Sequence, residues 1–573
     1  MPPREEYEKW RNSPALSDIE RLELESIACD EKEIESRFFA PLSFGTAGLR
    51  GTMALGTNRV NVHIIRHVTQ AFSEIILERG GERPTVAVCY DCRNNSRLFA
   101  EAAASVFAGN GIRVGMFEDM RPTPQLSFVI RRYGCAAGIN ITASHNTKEY
   151  NGYKAYWSDG AQLPPGEADL VAKRMASLDM FGGIKSADFM ESLKSGGTVL
   201  MGAETDDIFL DTVLAEAPNP GTVSAVADRF TVVYTPFHGT GRELVPRALT
   251  RLGLRNIHTV EEQMIPDGNF STVTSPNPEL PESFKLAEKL AKQKNADIII
   301  GTDPDTDRIA VLARSGGGYA HISGHKTGVL LLDYIITSKK NAGALPENAV
   351  ALKTIVTTEM ARLVAESHGV LMIDTFTGFK FMAERKNELE AAGAGHVIFA
   401  YEESYGYMIG DYVRDKDAVT AAVLITEMAA WYLGRGMTLL DALDSLYEKY
   451  GYHGEETVSL VMPGIDGLHD MKNLMSALRV DPPRNIKKTA VVSRRDYLPG
   501  IRYDGETETR LELKGSDVLR YDLEDGTAIL VRPSGTEPKI KVYILSRGDS
   551  KQGCAEKTAK YTAWAKALPE LVK

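Results

Sequence analysis

Three aspartates stand at alternate positions in Asp303-Pro304-Asp305-Thr306-Asp307-Arg308, just after the apolar run Ile298-Ile299-Ile300. Three carboxylates held together at a strand end repel one another. A hard divalent cation relieves that repulsion, because carboxylate oxygens are its preferred ligands. An EF-hand loop also opens Asp-x-Asp-x-Asp, but it needs Gly at position six and Glu at position twelve. Here those positions are Arg308 and Arg314, so that reading fails. An acidic surface turn is the plainer alternative, and it seldom follows a buried strand so closely.

Three other polar loops also close apolar runs. Thr142-Ala143-Ser144-His145-Asn146, with Lys154 shortly after, offers a serine that can act as a nucleophile or phosphate carrier. His145 and Lys154 would stabilise charge or move protons, and a plain polar turn is the alternative. Tyr401-Glu402-Glu403-Ser404-Tyr405-Gly406 pairs acids with Ser and Gly, which suits sugar hydroxyls or an ordinary acidic loop. Thr375-Phe376-Thr377-Gly378-Phe379-Lys380 ends a neighbouring strand and could line the same ligand. Arg532-Pro533-Ser534-Gly535-Thr536-Glu537-Pro538 combines a bidentate fork, hydroxyls and a glycine that lets backbone N–H groups approach an anion. It reads as a phosphate nest or a hairpin turn. No Walker loop and no Gly-x-Gly-x-x-Gly after a strand occur, so nucleotide readings drop. Gly239-Thr240-Gly241 reads as a tight strand-to-helix turn.

These loops need a scaffold, and the chain supplies a recurring one. Strand, helix, strand, helix, strand is predicted over 86–90, 97–110, 112–117, 123–133 and 136–142. The pattern returns over 230–300 and again over 349–401, with linkers expected near 200–208 and 315–322. It argues for α/β layers whose loops carry ligands at the strand ends. Residues 415–450 are helical in character, and short strands with late helices then predict a smaller α+β domain. The expected division is an N-terminal helical extension over 1–40 and domains over 41–205, 206–318, 319–452 and 453–573.

The chain has 573 residues, and at roughly 150 residues per domain that agrees with about four domains. With 43% hydrophobic and 25% charged residues, it is not disordered. Its net charge of −11 gives no basic excess for nucleic acid or an anionic membrane. No window is apolar enough for a transmembrane span, and the first residues lack the apolar core of a secretory signal. Five scattered cysteines fit a reducing, cytoplasmic compartment. Cys89 and Cys92 read as small residues at a strand end rather than a redox pair.

The four loops, taken together and in this order, resemble the α-D-phosphohexomutase family, from about Gly45 to Tyr543. The serine loop resembles that family's phosphoserine loop. DPDTDR resembles its metal loop, EESYG its sugar loop and RPSGTEP its phosphate loop. The resemblance implies three mixed α/β domains of similar topology plus a smaller α+β domain around a central cleft. It implies that Ser144 is phosphorylated and that Asp303, Asp305 and Asp307 bind Mg²⁺ together with a phosphoserine oxygen. Arg308 would lie near the transferring phosphate, and Arg50, in Gly45-Thr46-Ala47-Gly48-Leu49-Arg50-Gly51, in the same site. Lys154 matches the lysine after the serine loop, Glu402 and Ser404 match residues holding sugar hydroxyls, and Arg532, Ser534, Gly535 and Thr536 match the cradle for the non-reacting phosphate.

There are two departures. Thr147 stands where family serine loops often have Pro. Tyr407 follows Gly406 where some members carry a proton-transferring histidine, so that role falls to His145, Lys154 or Lys416. The implied activity is reversible phosphoryl transfer between C1 and C6 of a hexose phosphate, through a 1,6-bisphosphate that also serves as activator. The sugar loop resembles the glucose-type version, so glucose 1,6-bisphosphate is expected. Mannose or pentose phosphates, a non-catalytic sugar-phosphate binder and a hydrolase are the alternatives. Expected partners are small sugar phosphates, with no nucleic acid and no membrane, for a monomer or small homo-oligomer.

Overall fold

The computed structural model describes residues 2–45, 48–81, 83–462, 464–534 and 539–572. The chain forms two compact bodies. One holds residues 1–327, 379–391 and 398–438, and the other residues 328–378, 392–397 and 439–573.

The first body begins with the helices Pro3–Arg11, Asp18–Ser26 and Glu31–Phe38. Ser17 starts the second with a capping box, its side chain accepting from the Glu20 amide while the Glu20 carboxylate reaches back. The helices predicted as an extension share a core with the first α/β layer: Tyr7, Trp10, Leu24, Ile34 and Phe38 are buried with Ile64 and Phe72.

Six strands form the sheet of that layer: β1 (Leu49–Thr52), β2 (Thr85–Tyr90), β3 (Arg113–Phe117), β4 (Ala137–Ile141), β5 (Tyr150–Trp157) and β6 (Thr198–Met201). Their order is β1-β5-β4-β2-β3-β6. The β4-β2-β3-β6 part is parallel, and β5 and β1 add antiparallel pairs at one side. A second sheet repeats the plan with β7 (Thr231–Thr235), β8 (Asn256–Thr259), β9 (Ile298–Thr302), β10 (Ile309–Ser315) and β11 (Gly318–Ile322), in the order β11-β10-β9-β7-β8. Again the first three strands are parallel and the hairpin after them is antiparallel. The central parallel strands β2, β4 and β9 are almost wholly buried, which explains their near-continuous apolar runs.

The two expected linkers are corrected by these elements. Residues 200–208 hold the end of β6 and the start of the helix Ala203–Ala215, and residues 315–322 form the β10–β11 turn and β11. Ser315-Gly316-Gly317-Gly318 suggests a linker by composition, but Gly316 and Gly317 take positive φ, which a tight hairpin turn requires.

The strands β12 (Ala349–Thr354) and β13 (Leu371–Thr375) pair in parallel in the second body. In the chain, β14 (His396–Glu402) and β15 (Gly406–Met408) come next as an antiparallel pair. The C-terminal part of the second body is an antiparallel sheet of strands between Tyr452 and Gly548, packed against the helices Gly464–Val480 and Lys551–Ala567. That is the α+β domain expected from the sequence. Arg520 ties it to the preceding segment by donating to Glu359 at 3.0 Å. Among the described residues, no helix is long and apolar enough to cross a membrane.

Candidate active site

Two loops at the ends of parallel strands meet in the first body. After β4 the chain turns through Ser144, whose φ is +53° and whose amide donates to Thr142 Oγ1 at 2.8 Å. After β9 it turns through Asp303–Arg308, with Thr306 also at positive φ. Asp303 Oδ1 accepts from the amides of Asp307 (3.1 Å) and Arg308 (3.0 Å), which closes the loop on itself. The remaining oxygen, Asp303 Oδ2, accepts from Ser144 Oγ at 3.0 Å. Residues 159 positions apart are thereby brought into contact.

The three aspartates are buried, and a ligand oxygen from each lies within 4.8 Å of the others. Lys154, on β5, donates to Asp305 Oδ2 at 2.7 Å and to Asp307 Oδ2 at 3.1 Å. Lys416 stands 3.4 Å from Asp307 Oδ2 and donates to Asp415 Oδ1 at 3.1 Å. Asp417 caps the next helix, Ala418–Leu433, and so fixes the backbone beside Lys416. A Cβ on Gly406 would lie 2.2 Å from Lys416 Cδ, so that glycine makes room for the lysine against the Glu402–Gly406 loop.

These groups set one another's protonation. Burial pushes Asp303 well up, and the neighbouring Asp305 and Asp307 push it further. Burial alone would raise Asp307, but Lys154, Lys416 and Arg308 outweigh it and hold the carboxyl well below its usual range. Burial would likewise lower Lys154 and Lys416, yet the aspartates around them keep both raised. Burial, with Arg308 and Arg50 nearby, pushes His145 well down. Burial also raises Glu402.

The donor set fits a hard cation. Asp305 Oδ1 and Asp307 Oδ1 are buried and accept no hydrogen bond among the described residues. Anionic oxygens left so in an interior are costly unless a cation meets them. Asp303, Asp305 and Asp307 can therefore hold a divalent metal ion.

The other expected residues divide between the two bodies. His145 Nδ1 lies 3.3 Å from Ser144 Oγ. Arg50 donates to Asn146 Oδ1 at 3.2 Å, and Arg308 to Glu279 Oε1 at 2.8 Å. Glu402 is buried at the end of β14, and Ser404 comes two residues later in the same body. Tyr407 turns into the core, stacking on Tyr401 with ring centroids 6.3 Å apart. Thr377, Gly378, Arg532 and Ser534 belong to the second body. Gly535 and Thr536 lie outside the described residues.

Thr123 and Asn140 carry no signal in the sequence. Thr123 grips the metal loop, its Oγ1 donating to Asp305 Oδ2 (3.0 Å) and its amide to the Asp305 carbonyl (2.8 Å). Asn140, on β4, donates to Thr123 in turn. Asp415 accepts from Tyr156 at 2.9 Å and from Gln162 at 2.8 Å. Gly239 lets the Phe237–Gly241 turn approach the metal loop, because a Cβ there would lie 2.4 Å from Pro304 Cα. Cys89 and Cys92 are free thiols that burial pushes well up, which disfavours the reactive thiolate.

Models of the phosphoglucomutase/phosphomannomutase α/β/α domains I, II and III match residues 41–180, 207–317 and 323–450, and the model of the C-terminal domain matches 481–556. The chain belongs to the phosphoglucomutase/phosphomannomutase family. A phosphoglucomutase of Staphylococcus aureus strain MRSA252 is 35% identical over 523 residues, covering 90% of this chain and 91% of its own. The phosphoglucomutase of the bovine strain RF122 is 35% identical over 520 residues, 89% of this chain and 91% of its own. Among solved structures, a phosphoglucomutase/phosphomannomutase family protein of Burkholderia thailandensis superposes with a TM-score of 0.66 at 19% identity, over 92% of this chain and 97% of its own. The open form of pp63/parafusin, a phosphoglucomutase from Paramecium, gives 0.67 at 18%, over 93% and 95%. At those identities the two structures speak to the fold, and they share the multidomain mutase architecture.

Proposed function

We propose that this family member is a phosphoglucomutase, interconverting glucose 1-phosphate and glucose 6-phosphate through a phosphoserine at Ser144. The observation that carries the proposal is the contact of Ser144 Oγ with Asp303 inside a buried three-carboxylate cluster. The relatives' names supply the sugar.

In the proposed reaction a sugar hydroxyl attacks the phosphorus carried on Ser144. The P–Oγ bond breaks as the new P–O bond forms, giving glucose 1,6-bisphosphate. The sugar reorients, and the other phosphoryl group returns to Ser144. His145, 3.3 Å from Ser144 Oγ, is the proposed acceptor of the hydroxyl proton. Lys154 and Lys416, tied to Asp305, Asp307 and Asp415, stay cationic and stabilise charge on the phosphoryl oxygens. Arg308 and Arg50 face the same charge. A Mg²⁺ held by Asp303, Asp305, Asp307 and a phosphoserine oxygen would supply Lewis-acid polarisation when bound.

Glu402 and Ser404 are proposed to orient sugar hydroxyls, with Thr377 and Gly378 contributing to the same recognition. Arg532, Ser534, Gly535 and Thr536 are proposed to hold the phosphate that is not reacting. The proposed domains span 41–205, 206–318, 319–452 and 453–573, in a cytoplasmic enzyme whose partners are small sugar phosphates.

The test supplies glucose 1-phosphate, mannose 1-phosphate and ribose 1-phosphate in parallel, with Mg²⁺ and a trace of glucose 1,6-bisphosphate. Isomerised product and free phosphate are followed together. Fastest formation of glucose 6-phosphate, without free phosphate, is expected. Faster conversion of ribose 1-phosphate or mannose 1-phosphate would move the specificity, and binding without isomerisation would refute the enzyme reading.

A further inference from the structure

Ser144 sits in left-handed backbone, which a residue with a Cβ keeps only where its surroundings over-determine it. The side chain that determines it is Arg93, just past the end of β2. Its Nη2 donates to the carbonyls of Ser144 (2.6 Å) and Asn146 (2.5 Å). Its Nη1 donates to those of Thr147 (2.8 Å) and Tyr150 (3.0 Å). The guanidinium is fully buried, and its Nε faces Asp91 Oδ2 at 3.2 Å. Asp91 Oδ1 is itself held by the Arg93 amide (2.9 Å) and Ser96 Oγ (2.8 Å). On the other side, the ring of Phe270 lies 5.1 Å from the guanidinium carbon.

All four terminal N–H groups are engaged by backbone, so Arg93 keeps none for a phosphate. Its chemistry is that of a clamp on the loop. We propose that Arg93, backed by Asp91 and Phe270, is a positioning residue that aims Ser144 Oγ and thereby favours phosphoryl transfer to sugar over transfer to water. This rests on the mutase reading above. A loop free to wander would misalign the reacting oxygen and let water reach the phosphoserine. Lysine cannot replace the clamp, because a single ammonium lacks the planar fork that reaches four carbonyls.

Arg93→Lys is the test, measured for kcat, KM, free phosphate released per isomerisation, and hydrogen exchange over residues 143–150. A fall in kcat of about tenfold to a hundredfold is expected, with KM moving by less than about threefold. Free phosphate per turnover should rise, and the segment should exchange faster. Adding Thr147→Pro should restore part of both losses, since proline narrows φ in the same loop. Among the described residues the Thr147 amide donates no hydrogen bond that proline would remove. A folded Arg93→Lys protein with lower Tm but unchanged kcat and phosphate ratio would overturn the proposal. If Arg93→Lys does not fold, Asp91→Asn, which removes only the backing charge, should shift the phosphate ratio the same way, and an unchanged ratio would again overturn it. A wild-type protein that does not isomerise would refute the mutase reading instead, while loop exchange in Arg93→Lys would still report on the clamp.

Discussion

Replacing Lys154 by methionine keeps most of the side chain's volume and removes its charge. In the structure that charge makes two hydrogen bonds, to Asp305 at 2.7 Å and Asp307 at 3.1 Å, with the lysine almost wholly buried. Charged hydrogen bonds contribute about 1.5–3 kcal/mol each, and removing one partner of a buried pair costs about 3–5 kcal/mol. Unfolding entropy is about 2.1 cal/mol/K per residue, so a single transition of 573 residues moves by roughly 0.8 °C per kcal/mol. Lys154→Met in chelator should therefore melt about 2.5–4 °C below wild type. The unpaired carboxylates then favour a divalent ion more strongly. At a hundred times its Kd, such an ion stabilises by about 2.7 kcal/mol, and a tighter site gains more at the same concentration. Scanning calorimetry with chelator and then with excess Mg²⁺ measures both effects. The Mg²⁺-induced rise in Tm should be larger in Lys154→Met than in wild type. Equal Tm values in chelator, or an equal Mg²⁺ shift, would refute the account of Lys154 as a counter-charge within a metal site.

Ser144→Ala should fold with nearly unchanged Tm, carry no phosphate at position 144 by mass spectrometry, and show no isomerisation; near-normal turnover would remove Ser144 from the mechanism. Arg532→Ala should weaken sugar-phosphate binding by roughly 1.5–3 kcal/mol, about tenfold to a hundredfold in Kd by calorimetry. Asp305→Asn should lose most of its response to Mg²⁺, and an unaltered response would contradict the metal assignment. Stability should fall with acid: burial lowers the pKa of His67 below its usual 6.5, so the folded chain refuses a proton that the unfolded chain accepts. That contribution is complete above about pH 6.5 and is lost as pH drops towards the folded value. Tm measured from pH 7.5 to 5 should decline, and His67→Gln should flatten the decline.

The scaffold was legible because buried strands write continuous apolar runs, and the serine loop and the Asp303–Arg308 loop are short strings at the ends of two of them. The Asp303–Arg308 loop shows this best: its three carboxylates are local in sequence, and Ile298–Ile300 announces the strand before them. What the strings could not show is contact across long separations. Thr123 lies 182 positions from Asp305, and Tyr156 lies 259 from Asp415. Glu279, which takes Arg308, sits in a proline-rich stretch with nothing to mark it. Asp415 had the one available clue, its adjacency to Lys416. The hairpin over 315–322 was hidden for the opposite reason, because a run of glycines reads as a linker unless the pairing partner is known.

Charge arithmetic explains why these distant groups belong together. Around Ser144, five carboxylates (Asp303, Asp305, Asp307, Asp415 and Glu279) interlock with three cations (Lys154, Lys416 and Arg308). Acids outnumber the bases paired with them, and a divalent cation would relieve that imbalance. Without that ion Asp303 is driven towards its protonated form, as burial and its two neighbours direct. A phosphoryl group on Ser144 would add about −1.5 to −2 more. Arg50, beside the cluster, makes no ion pair among the described residues, and its guanidinium is held in place by Asn146 of the serine loop. An anchored cation at that position would meet the added charge of a phosphoryl group on Ser144. The serine, the carboxylates, the lysines and Arg50 thus form one electrostatic unit, and removing any single charge should shift metal affinity and phosphoserine stability together.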